Sequence, residues 1–105
     1  MSYSIIRADT ADAGIRSIIL YIARVFGNEV ALKKLEDLER QIMMLKDDPY
    51  IGTVPRYPLL KRKGYRVLIL EKNLVFYKID ENAQIVTIHA VVDQRQDYLS
   101  ILRGL

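Results

Sequence analysis

An α+β fold is predicted by three features of this sequence. Residues 65–80 are dense in β-branched and aromatic side chains, which fit a pleated, packed surface, and they break at Glu71-Lys72-Asn73. A third apolar run, Ile85 to Val92, follows the polar reversal Asp80-Glu81-Asn82-Ala83. Upstream, two longer segments carry apolar residues at spacings of three and four, the period of a helix. The expected architecture is a small antiparallel β-sheet, made of a first strand plus a three-strand meander. An α-helical hairpin should pack on one face.

The elements follow in order. Tyr3–Arg7 is short and partly β-favouring, a first strand. Asp9 or Thr10 is placed to cap the next helix, a side-chain oxygen accepting from its free amides. That helix sets Ile15, Ile18, Ile19, Ile22 and Phe26 on one stripe, and Gly14 weakens its first turn. Gly27 suits the left-handed conformation that ends a helix, and Asn28 is placed to cap the second. The second helix runs from Glu29 to about Lys46, with Leu32, Leu35, Leu38, Ile42 and Leu45 as its stripe. Glu29 with Lys33, and Glu36 with Arg40, have the spacing of favourable ion pairs. Met43 and Met44 read as gap fillers at a core edge.

Asp47-Asp48-Pro49 stops this helix, because proline cannot continue it. Residues 49–64 contain Pro49, Pro55, Pro58, Gly52 and Gly64, and read as a long ordered loop. On the last strand Val86, Ile88, Ala90 and Val92 alternate with Ile85, Thr87, His89 and Val91. The first set should meet the helices, which turns His89 to the opposite face. Asp93 to Asp97 is a polar turn, and Tyr98 to Leu102 a short closing helix docked through Leu99 and Leu102.

The 105 residues make one domain, spanning 1–105, and half of them are hydrophobic, so disorder is not expected. Cysteine is absent and there is one histidine, which excludes disulfides, thiolate metal sites and a cysteine nucleophile. No metal and no cofactor is expected. No signal-peptide pattern is visible, and no apolar run approaches the roughly 20 residues of a membrane span. A cytoplasmic protein without membrane contact is expected. The net charge of +3 is uneven: residues 1–55 are net −1 and residues 56–105 net +4. The densest patch is Lys61-Arg62-Lys63, with Arg56 and Arg66 near it, and it suits a polyanion or an acidic protein. A merely solvated turn is the plainer alternative.

What remains for chemistry is one histidine with arginines, lysines and tyrosines. These residue types suit phosphate binding and metal-free RNA transesterification, which needs a base, an acid and cations around the phosphorane. His89 is the titratable candidate, with a surface histidine that only hydrogen-bonds as its alternative. Arg95 and Tyr98 lie just past the same strand, either within reach of that face or as a structural pair. Arg66 completes a cationic groove if it shares a face with His89, and is otherwise an edge charge that discourages strand pairing.

The order of strand, helix hairpin with Gly27-Asn28, Pro49-Tyr-Ile-Gly52, Gly64-Tyr-Arg66, Leu74-Val-Phe-Tyr-Lys-Ile-Asp80, His89-Ala-Val-Val and Arg95-Gln-Asp-Tyr98 resembles the RelE/ParE toxin superfamily. These are toxins of type II toxin–antitoxin modules, often called plasmid stabilisation proteins. The resemblance covers essentially the whole chain. It implies a cognate acidic antitoxin, drawn to the basic second half and to the sheet's second face at Leu68, Leu70, Leu74 and Phe76. RelE-like members cleave mRNA in the ribosomal A site, whereas ParE-like members poison DNA gyrase. The nucleases carry an arginine where this chain has Asn73-Leu74, neither of which is basic. Arg95 and Tyr98 fall where the nucleases place an arginine and a C-terminal tyrosine. The leading expectation is a ribosome-dependent mRNA interferase with Arg66, His89, Arg95 and Tyr98 as catalytic candidates. Arg56, Lys61, Arg62 and Lys63 are its RNA-binding candidates. The alternative is a non-enzymatic inhibitor of gyrase.

Overall fold

The computed structural model describes residues 2–95 and 99–105. Strand β1 (Ser4–Arg7) leads into helices α1 (Asp9–Phe26) and α2 (Asn28–Met43), the latter tightening into a 3₁₀ turn over Met44–Lys46. Then come α3 (Pro58–Arg62), β2 (Arg66–Ile69), β3 (Asn73–Asp80), β4 (Ile85–Asp93) and α4 (Leu99–Leu102). The expected loop thus contains a short helix, started by Pro58 in its first turn. Strand order is β1-β4-β3-β2. The meander β2-β3-β4 is antiparallel, but β1 joins it in parallel with β4, so the sheet is mixed rather than antiparallel throughout. The hairpin of α1 and α2 packs on one face, as the sequence pattern predicts.

The helix ends differ from the expected caps. Ala8, not Asp9 or Thr10, precedes α1, and its carbonyl accepts from the amides of Ala11 and Asp12. The Thr10 hydroxyl instead donates to the carbonyl of His89, tying α1 to β4. Gly27, at φ 97° and ψ 163°, ends α1 and starts α2, so Asn28 is helical rather than a cap. A side chain at such a φ is strained, which is why glycine sits there. Arg40 pairs with Asp37 rather than Glu36.

Two apolar layers hold the sheet. On the helix side Ala11, Ile15, Ile18, Ile42 and Leu45 pack on Leu68, Val75, Tyr77, Val86, Ile88 and Val91. The buried stripe of α2 begins at Ala31, and Leu32, one position round the helix, is exposed. Phe26 is also exposed, as are Met43 and Met44, which therefore fill no core gap. On the opposite side Leu60, Tyr65, Val67, Phe76, Ala90, Val92 and Leu102 form a second cluster, bordered by Leu74 and Leu105. The second face is therefore covered by the chain's own α3 and α4. Leu68 and Leu70, expected there, belong to the helix side.

This division depends on a β-bulge. Phe76 pairs with Ala90 but Tyr77 pairs with Ile88, leaving His89 as the extra residue. The alternation of β4 changes phase at that point. Val86 and Ile88 meet the helices, whereas Ala90 and Val92 turn to the second cluster and Val91 takes the helix side. The single continuous face expected from Val86 to Val92 is broken by one residue.

Candidate functional site

The expected site residues lie in separate places. Arg66, at the start of β2, pairs in register with Tyr77 of the helix-side core. Its guanidinium donates to the carbonyls of Gly52 at 2.6 Å and Tyr50 at 3.3 Å. It also lies 5.1 Å from the centroid of the Tyr50 ring, a cation–π contact. Tyr77 grips the same loop: its hydroxyl donates to the Pro49 carbonyl at 2.7 Å and accepts from the Gly52 amide at 3.1 Å. Gly52 is required by this closeness, because a Cβ there would lie 2.5 Å from the Tyr77 hydroxyl oxygen. Arg66, on the edge strand β2, thus fastens a loop and does not share a face with His89.

His89 points to the other face, as its place in the strand predicts. Its ring meets the edge of Tyr65 with centroids 5.1 Å apart, and the Lys78 ammonium lies 4.5 Å over the Tyr65 ring. Burial, and after it the charge of Lys78, hold the imidazole below its ordinary pKa. Burial also raises the Tyr65 phenol above its usual value. Sequence reasoning did not find Tyr65 and Lys78 as the partners of His89. The bulge sets that meeting, and no residue type announces it.

Arg95 belongs to a third place. It is exposed, and its guanidinium and backbone amide both bond to Asp93. Burial alone would raise the Asp93 carboxyl, but these bonds, with the charges of Arg95 and Lys34, bring its pKa below the usual value. Arg95 and Asp93 line an open groove of about 900 Å³ between the hairpin and the β2–β3 turn. Tyr21, Ile22, Phe26 and Val30 form its apolar wall, facing Leu70 and Asn73. Asn73 is only 1% exposed, and its Oδ1 has no hydrogen-bond partner among the described residues. Tyr98 lies outside the described residues.

Of the RNA-binding candidates, Arg56, Lys61 and Arg62 are exposed on or beside α3. Lys63 is exposed as well, but its ammonium donates to the Leu105 carbonyl at 2.7 Å. Among the described residues no group of histidine and carboxylate side chains could hold a metal ion. No described helix is long and apolar enough to cross a membrane.

Comparison with known proteins adds a family. The family described as ParE toxin of type II toxin-antitoxin system, parDE, matches residues 5–98. No curated protein matches the sequence. Among solved structures, a chain of the chromosomal ParDE toxin–antitoxin system of P. aeruginosa superposes with a TM-score of 0.74 at 21% identity, covering 88% of this chain and 96% of that one. A chain of the RelBE2 toxin–antitoxin complex of Mycobacterium tuberculosis gives 0.67 at 18% identity, covering 90% and 100%. A free E. coli RelE toxin mutant gives 0.61 at 14% identity and covers both chains completely. At these identities the structures establish the shared fold.

Proposed function

The chain belongs to the ParE toxin family of type II toxin–antitoxin systems, and from that premise we propose that it is a non-catalytic toxin that inhibits DNA gyrase. The observation that carries this reading is the separation of Arg66, His89 and Arg95. Cleavage of RNA needs base, acid and cation around one phosphate. Here Arg66 holds loop carbonyls, Arg95 holds Asp93, and His89 packs on Tyr65 across the sheet from Arg66. Asn73-Leu74 adds support: neither residue is basic where the nucleases of the wider superfamily resemble one another in carrying an arginine.

The partner proposed is a cognate acidic antitoxin. The hairpin leaves Leu20, Tyr21, Val25, Phe26, Val30 and Leu32 exposed, apolar side chains that such a partner would cover. The similar ParDE and RelBE structures are of toxin–antitoxin systems. The mRNA-cleavage reading retains the exposed cations of α3 in its favour.

One paired experiment separates the two. Purified protein added to gyrase and relaxed plasmid should block supercoiling, while primer extension on mRNA from induced cells should show no new A-site ends. Undiminished supercoiling at saturating protein, together with A-site cleavage, would replace gyrase inhibition with the nuclease reading.

A further inference from the structure

Residues 49–70 contain five cations, Arg56, Lys61, Arg62, Lys63 and Arg66, and no acidic residue. The structure divides them. Lys63 is drawn to the Leu105 carbonyl, and Arg66 to the carbonyls of Tyr50 and Gly52. Arg56, Lys61 and Arg62 remain exposed, and among the described residues none of the three is in an ion pair. Their backbone is fixed. Pro58 presets the first turn of α3, Leu60 is 3% exposed in the second core, and Pro55 is buried. A fixed backbone leaves only the side chains to be ordered on binding.

We propose that Arg56, Lys61 and Arg62 form a contact surface for the phosphate backbone of duplex DNA. This rests on the gyrase reading: a target that works on DNA presents phosphates beside any protein docked to it. Three cations within residues 56–62, with no anion among them, offer sequence-independent phosphate contacts. The arginines can engage phosphate oxygens in pairs. An acidic protein is the less suitable occupant, because protein–protein interface cores are depleted in charge, whereas DNA interfaces are strongly positive.

The test is fluorescence anisotropy of a labelled duplex of about 20 base pairs, titrated with the protein over a range of salt. Each contact removed from a duplex lowers the slope of log K against log salt by about one. Arg56→Ala, Lys61→Ala and Arg62→Ala should each do so, and the triple variant should lose roughly three, while its thermal melt stays unchanged. Lys63→Ala, which removes an ammonium held at the Leu105 carbonyl, should lower the slope by less than any of the three. No duplex binding, an unchanged slope in the triple variant, or tighter binding to an RNA hairpin or a polyglutamate peptide would overturn the proposal. Gyrase inhibition is read separately. A wild-type protein that leaves supercoiling intact defeats the functional reading, while the duplex titration still decides the DNA contact.

Discussion

Arg66 and Tyr77 face one another across the β2–β3 pair and hold the same loop, Arg66 by the carbonyls of Tyr50 and Gly52, Tyr77 by the carbonyl of Pro49 and the amide of Gly52. Loop 49–52 lacks regular strand or helix bonding, so side chains must satisfy its polar backbone. Thr53 then pairs with Val67 and continues the attachment to β2. The approach to the basic helix α3 is fixed at its start by these contacts.

Tyr77→Phe tests that attachment. The ring stays, but the Pro49 carbonyl and the Gly52 amide lose their partner in a buried setting. An orphaned buried polar group costs about 1–3 kcal/mol. Thermal melting should fall by roughly 4–8 °C for each kcal/mol lost in a domain of this size. The amide of Gly52 should also exchange faster with solvent. A melt equal to wild type would show that the hydroxyl bonds contribute nothing.

Gly14→Ala runs against helix propensity. In an exposed helix interior the change would stabilise by about 1 kcal/mol. Here α1 lies so close to β4 that a Cβ on Gly14 would overlap the backbone carbonyl of Val91. Backbone cannot rotate aside as a side chain does, and overpacking costs about 1–3 kcal/mol. The variant should therefore melt below wild type. A higher melting temperature would mean that helix and sheet are not in this contact.

How much the sequence reveals can be judged from such positions. The helices and the meander were legible because their apolar periods, 3.6 and 2, differ and are long enough to count. Gly14 read as a weak first turn, since the strand that needs its missing side chain is 77 residues away along the chain. Thr10 read as a cap for the same reason, its true acceptor being the carbonyl of His89. The bulge at His89 has no compositional signature, and it decides which of Ala90, Val91 and Val92 faces the helices. Candidate site residues were found by type, but their separation is a property of faces and registers that residue types do not encode.

His89 predicts a pH dependence. Its folded pKa is lowered from 6.5, chiefly by burial and further by Lys78, so below about 6.5 the unfolded chain takes up a proton that the folded one resists. Stability from this group is therefore present above that value and is lost as pH falls toward the folded pKa. His89→Gln keeps a polar side chain without a titrating group. Denaturant midpoints measured between pH 7.5 and 5 should decline less in this variant than in wild type. Parallel declines would assign the effect to the carboxylates.

Asn73→Leu should not destabilise the isolated protein, although Asn73 is 1% exposed. A well-satisfied buried asparagine would cost about 1–3 kcal/mol to remove. Among the described residues this one donates only a long bond, 3.4 Å from Nδ2 to the Val92 carbonyl, and its Oδ1 has no partner. The unpaired oxygen already carries a desolvation penalty, which an apolar side chain of similar volume relieves. The expected melt is equal to or above that of wild type. A fall of several degrees would instead show that Oδ1 is paired in solution. The same variant bears on the groove, since Asn73 lines it beside Tyr21, Phe26 and Val30. A partner that donates to Oδ1 should bind the variant more weakly in calorimetry even though the free toxin is no less stable, whereas a partner that only fills the apolar wall should bind it equally well.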